Sequence, residues 1–387
     1  MPKRLLHLLL FALRSGLIPA FNVLVSMLVV RLYSETLWGN FVKEYLWVTL
    51  LASILTYGSK DYLLRIFSEN PAQIAQNWQI SLSARTLLLP FAALFLLLKY
   101  QDFALSCELF IWIVGLFLFQ SYEAIILYEK DFAKIVAIEM LGLGLTLGSI
   151  FCWGKSIETA DLRHIFIVTS MAKGLFLFFL YKEKLPIKWQ IEGTKNFLTT
   201  CFPFLLIGIS GLLHSRADTY TASHFLAEKD LGRYQILMNL VIYVQSISAW
   251  LLTPFIKNIY RLPQKSFQKL LFRFTFAGMG IALICLPLFW LIFHFCYLFD
   301  WKTSYYVGMF LLCLPIYGTL PLIFRMYKMG QERTVMYLNF GGTAILVVLC
   351  SLFMPYFGIA GGLWAAVTTQ WGIWGIYLLF SRRFSQI

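Results

Sequence analysis

Apolar segments of roughly 20 residues recur along the whole chain, and each is long enough to cross a hydrocarbon core of about 30 Å as a helix. The runs are continuous rather than alternating. In lipid only helices or closed barrels satisfy all their backbone hydrogen bonds, and barrel strands would alternate, so the pattern predicts an all-α integral membrane fold. It predicts twelve spans, over residues 5–31, 41–58, 82–99, 104–127, 132–153, 164–181, 197–225, 233–256, 270–298, 304–327, 334–353 and 359–381. Pro19, Pro90, Pro203, Pro254, Pro287, Pro315 and Pro321 fall inside spans, where kinks are expected and neighbouring helices can re-satisfy the freed carbonyls. The first span follows Met-Pro-Lys-Arg as a signal peptide would, but it is too long for one and shows no small-residue cleavage pattern, so it reads as a retained helix.

Composition agrees: 59% of residues are hydrophobic and 13% charged, more apolar surface than a water-soluble fold of 387 residues could hide. The seven cysteines lie in apolar segments without a Cys-x-x-Cys pair, so neither a disulfide framework nor a metal site is indicated. The formal net charge is +13. Sorted by side of the membrane, 21 basic residues fall with the two termini and their side's connections and 8 on the other, which predicts cytoplasmic termini. The charge therefore reflects topology and contact with anionic membrane lipids, and no nucleic-acid partner is needed to explain it.

The most hydrophilic connection on that basic side, KEKLPIKWQIEGTK from Lys182 to Lys195, stands at the midpoint with six spans before and six after. It suggests two domains, 1–185 and 186–387. Sliding the chain by 193 residues lays Glu35 on Glu228 and Gly39 on Gly232, and a slide near 200 lays Ile135–Gly144 on Val335–Ala344. An even number of spans per half makes the repeats parallel, so the expectation is two pseudo-symmetric six-helix bundles around a central cleft.

The stretch HSRADTYTASHF, His214 to Phe225, carries three ionisable groups in five residues directly after an apolar run. The repeat lays residues 214–223 on apolar Phe21–Val30, which puts His214, Arg216 and Asp218 inside the outer part of the seventh span. A charge at membrane depth costs roughly 2.5–3.5 kcal/mol on insertion scales unless it faces a wet cavity or a partner. His214, Asp218 and Thr221 share one helical face, while Arg216, Tyr220 and Ser223 share another. The plainer alternative is a span that ends at Leu213 and continues as a wet extension.

Arg14, Glu139 and Lys173 are further charges within spans. Arg14, Lys173 and Arg216 in one cleft would favour a phosphate or pyrophosphate through charge-assisted hydrogen bonds, unless Lys173 simply pairs with Glu139. Glu139 and Asp218 are candidates for H+ or Na+ coupling, since a carboxyl in low dielectric can protonate reversibly, although a structural hydrogen bond would equally explain them. Glu108, Glu123, Arg85 and Arg325 lie near enough to span ends to snorkel to the interface and are assigned no role. GLGLTLG, Gly142 to Gly148, follows no strand, and its Gly144 and Gly148 read as points of close helix approach. No phosphate loop for ATP hydrolysis occurs, and His7, His164, His224 and His294 lack metal-ligand spacing.

RLYSETLWGNF and GSKDYLLR resemble the start of polysaccharide exporters of the multidrug/oligosaccharidyl-lipid/polysaccharide (MOP) superfamily, through Arg31, Gly39 and Phe41, then Gly58 and Arg65. Asp218 followed by Gly232 and Tyr234, and the late FGIAGGLWAA with Gly358 and Gly361, are similar to the second half of that family. The resemblance implies a flippase without enzymatic activity or cofactor. Its cargo would be undecaprenyl-pyrophosphate-linked oligosaccharide repeat units, as in O-antigen or capsule assembly at a bacterial inner membrane. On it Arg14, Lys173, Arg216 and His214 would hold cargo, and Asp218 and Glu139 the coupling ion. The rivals are an ion-coupled multidrug exporter, which would want a carboxylate-rich cleft, and a glycan polymerase or glycosyltransferase. Such enzymes use a sizeable outer loop, whereas the longest here is about ten residues.

Overall fold

The computed structural model describes the backbone of residues 2–154, 157–252, 255, 259 and 261–383, and the side chains among these outside 2–15, 18 and 381–383. Among the described residues there is no strand. The first half comprises α1 (Pro2–Leu32), α2 (Glu35–Thr56), α3 (Ser59–Glu69), α4 (Ile74–Thr86), α5 (Leu89–Tyr100), α6 (Phe103–Ser121), α7 (Glu123–Glu129), α8 (Phe132–Cys152) and α9 (Thr159–Tyr181). The second comprises α10 (Thr194–Phe225), α11 (Glu228–Leu252), α12 (Gln264–Leu291), α13 (Thr303–Lys328) and α14 (Glu332–Arg383), with Ile292–Tyr297 continuing α12 as a π-helical turn.

Nine helical stretches among the described residues are long and apolar enough to cross a membrane. The last covers two expected spans, because α14 is interrupted at Gly358, whose φ of 56° and ψ of −133° suit only glycine. The remaining expected spans are α1, with its apolar part Pro19–Leu32, and α2, whose run is diluted by Asn40, Lys43 and Glu44. The third expected span is two helices: α4 stops at Thr86, and α5 restarts with Pro90 in its first turn, where the missing N–H costs nothing.

Two connections are tighter than expected. Ser34 Oγ accepts from Leu37 N at 3.0 Å and caps α2, so the helix begins at Glu35 and holds Gly39 within it rather than in a loop. In the second half α11 begins at Glu228, which likewise encloses Gly232 and Tyr234. The internal repeat is visible in these boundaries. α1 and α10 end at Leu32 and Phe225, and α2 and α11 begin at Glu35 and Glu228, the same 193-residue displacement; α8 and α14 begin 200 residues apart, at Phe132 and Glu332.

The chain divides into two compact units, Met1–Tyr33 with Asn40–Ile209, and Ser34–Gly39 with Ser210–Ile387. The division therefore falls within α10, not at residue 185 as the hydrophilic connection suggested. The reason is packing. The first part of α10 lies on α3, with Tyr62 against Phe197 and Phe204 at centroid distances of 5.5 and 6.3 Å and with Gly58 closing onto the Phe204 backbone. The connection itself is fastened to α4, where Gln79 Nε2 donates to Pro186 O at 2.8 Å and Gln190 N donates to Ser83 Oγ at 3.0 Å.

Candidate functional site

In the first unit, α1, α2, α6, α8 and α9 surround a cavity of about 330 Å³. Its aromatic surface comes from Phe21, Tyr45, Trp112, Phe119 and Phe166. Phe41, buried behind them, stacks on Trp112 at 5.6 Å and packs against Phe166 at 4.7 Å, which fixes those rings. The polar surface comes from Asn22, Thr49, Ser53, Gln120, Thr169 and Ser170. The Thr49, Ser53 and Ser170 hydroxyls donate to carbonyls of their own helices, which leaves their oxygens free to accept. Gln120 Oε1 is buried without a hydrogen-bond partner among the described residues.

The cavity's charges are neutralised locally. Lys173 Nζ donates to Glu139 Oε2 at 2.6 Å and stands 4.4 Å over the Phe119 ring. Glu123, also at the cavity, has Lys60 Nζ at 3.4 Å. Gly142 makes the Lys173 position possible, because a Cβ there would lie 2.7 Å from Lys173 Cδ. Gly144 and Gly148, expected at a helix contact, instead face open space. The close approach is made by Gly115 and Gly174: a Cβ on Gly115 would lie 2.8 Å from Met171 N, and one on Gly174 2.9 Å from Gly115 O, which locks α6 to α9.

α10 stays helical through Phe225, and Asp218 is 2% exposed, its Oδ2 accepting from Tyr234 OH at 2.8 Å. Asp218 and Thr221 lie on a packed face of the second unit, and the fully buried Thr219 adds a 3.4 Å contact to Asp218 Oδ1. Arg216, on the other face, is half-buried and donates to Asn239 Oδ1 at 2.5 Å. It has no acidic partner within 4 Å among the described residues, although its charge acts on the nearby Asp218 carboxyl. His214 Nε2 is 3.2 Å from Gln370 Nε2, and its Nδ1 is buried without a partner among the described residues.

Of the six candidate residues, then, Glu139 and Lys173 meet each other in the first unit, while His214, Arg216 and Asp218 stand in the second with three different partners. The Arg14 side chain lies outside the described residues.

Four residues set aside as snorkelling have specific places. Arg85 is fully buried, donating to Ser81 O at 3.2 Å and Ser121 Oγ at 3.3 Å beside the Phe117 ring. It reaches no interface because α4 turns it toward α6. Glu108 and Glu44 share Arg163, whose Nε and Nη1 donate to them at 2.6 and 2.7 Å. Arg325 covers the Phe267 ring at 4.7 Å, and Glu123 faces Lys60.

Charge alone draws attention to Glu139 and Lys173 but misses the rest of the cavity. A signal for it does exist: Phe166, Thr169, Ser170 and Lys173 recur at i, i+3, i+4 and i+7 on α9, and Tyr45, Thr49 and Ser53 recur every fourth residue on α2.

The sequence matches no family model and no curated protein. Solved structures match over nearly the whole chain. An inward-facing multidrug resistance MATE family transporter of the MOP superfamily is 14% identical, with 94% of this chain and 93% of that one covered at a TM-score of 0.68. The lipid II flippase MurJ in an inward closed conformation is 14% identical, with 97% and 87% covered at 0.72. The MATE multidrug transporter DinF-BH is 17% identical, with 99% and 96% covered at 0.65. At these identities the likeness is one of fold: the chain is an all-α, multi-pass membrane protein with the fold of MOP superfamily transporters, as seen in MATE exporters and in MurJ.

Proposed function

We propose that this protein is a flippase that carries polyprenyl-pyrophosphate-linked oligosaccharide repeat units across a bacterial cytoplasmic membrane by alternating access, with both termini cytoplasmic and no chemical step of its own. The lining of the first unit's cavity carries this reading. Rings set beside hydroxyl and amide groups suit a polyhydroxylated ligand, with apolar sugar faces on Tyr45, Trp112 and Phe166 and hydroxyls on Thr49, Ser53 and Gln120. An organic cation would gain from an unpaired carboxylate, and there Glu139 is already held by Lys173. Likeness in fold to a lipid II flippase supports a lipid-linked cargo.

On this reading Arg216, charged and bonded only to a neutral amide, is the residue suited to the pyrophosphate, with His214 beside it on α10. Glu139 and Asp218 each need lose one partner, Lys173 or Tyr234, to take up H+ or Na+. O-antigen or capsule assembly is the process such a cargo would serve.

The test is deletion of the gene followed by leaflet-resolved analysis of lipid-linked repeat units. Accumulation on the cytoplasmic leaflet is the expected result. Normal surface glycan together with a loss of drug resistance would replace this reading by a multidrug exporter.

A further inference from the structure

Along the outward face of α12, charge, aromatic surface and aliphatic surface succeed one another in order. Lys265, Lys269 and Arg273 stand at i, i+4 and i+8, in one column of exposed side chains. None has an acidic or hydrogen-bonding partner among the described residues. With Gln268 and Phe272 they line an open hollow of about 420 Å³. Phe272 and Phe276, 72% and 62% exposed, stack one turn deeper at 6.4 Å, and exposed Leu283, seven residues beyond Phe276, continues the same face. The opposite face of α12 is filled by its own unit: Phe267 is buried with Leu322 and Met326 of α13 and Tyr377 of α14.

A cationic column alone would be ordinary solvated surface. Here it stands at the mouth of an apolar strip, and from Phe272 to Leu291 that strip rises about 28 Å at 1.5 Å per residue, close to the thickness of a hydrocarbon core. Cations thus meet the headgroup layer where aromatic rings mark the interface. We propose that Lys265, Lys269 and Arg273 form a docking site for the phosphate headgroup of an anionic phospholipid, whose acyl chain lies along Phe272, Phe276 and Leu283. The bilayer supplies that anion, and the proposal is independent of the cargo assigned above.

The full chain, purified in neutral detergent, is titrated with phosphatidylglycerol and with phosphatidylcholine, and retained lipid is counted by native mass spectrometry. Phosphatidylglycerol should be retained about a hundredfold more tightly. Each basic residue near an anionic surface is worth about fivefold in affinity, so Lys265→Gln/Lys269→Gln/Arg273→Gln should lower the preference about a hundredfold. Lys269→Gln alone should lower it about fivefold, and Lys265→Arg/Lys269→Arg should keep it. An equal preference in wild type and triple variant overturns the proposal. So does displacement of phosphatidylglycerol by equimolar polyprenyl pyrophosphate, which would make the column a cargo site.

Discussion

Gly39 and Gly232, one repeat apart in the sequence, touch each other: a Cβ on Gly232 would lie 3.1 Å from Gly39 N and 2.7 Å from Glu35 O. The first turns of α2 and α11 cross here with no side chain between them, and a Cβ on Gly39 would collide with the Glu228 carbonyl. Backbone cannot rotate aside as a side chain can. Gly39→Val should therefore destabilise the fold by about 1–3 kcal/mol, seen as a lower melting temperature and reduced yield of folded protein in detergent. Gly144→Ala, facing open space, should leave both unchanged or slightly raised.

The Glu139–Lys173 pair predicts a non-additive outcome. Its side chains are only 10% and 17% exposed, so removing one partner leaves an uncompensated charge at a cost of about 3–5 kcal/mol. Glu139→Gln and Lys173→Met should each lower thermal stability strongly, whereas the double variant should recover most of the loss. Equal additive losses would show that the pair does not form in the membrane.

Gln120 separates stability from transport. Its buried Oε1 is unbonded among the described residues, so Gln120→Leu removes an unsatisfied acceptor and should keep or raise the melting temperature. If that oxygen serves a glycan hydroxyl, the same variant should lower repeat-unit translocation severalfold in a complementation assay with protein abundance unchanged. Full translocation would remove Gln120 from the site.

Arg216→Gln keeps a hydrogen-bonding group beside Asn239 but removes the charge. Surface glycan should fall while membrane abundance holds. Arg216→Lys should restore part of it, because the charge returns without the planar fork.

Near the start of α11, Arg233 holds Glu35 through Nε and Nη2 at 2.6 and 2.9 Å and lies 5.0 Å over the Phe299 ring. Arg233→Lys loses both the fork and the planar stacking. With these side chains 32% and 20% exposed, the expected cost is about 1 kcal/mol, a drop of a few degrees in melting temperature.

Much of this architecture is legible one residue at a time. A bilayer responds to the summed transfer free energy of a segment, so run length alone located the spans, and glutamates with their glycines, Glu35 with Gly39 and Glu228 with Gly232, exposed the repeat. Hydropathy likewise marked Glu139, Lys173, Arg216 and Asp218 as exceptional, because each is costly in lipid wherever it points.

What each charge faces was decided by the rotation of helices about their own axes and by contacts between distant parts of the chain. The same run length is compatible with Arg85 snorkelling to an interface or buried against Ser121, and with Lys173 meeting cargo or Glu139. Gly142, Gly144 and Gly148 are indistinguishable in composition, yet one makes room for a lysine and two face open space. Sequence by itself determined that helices cross the membrane and which residues are too polar to be indifferent to their neighbours. Only the packed bundle decided which partner compensates each of them, because a burial cost is local to a residue whereas the bond that offsets it needs a second helix turned to the right angle.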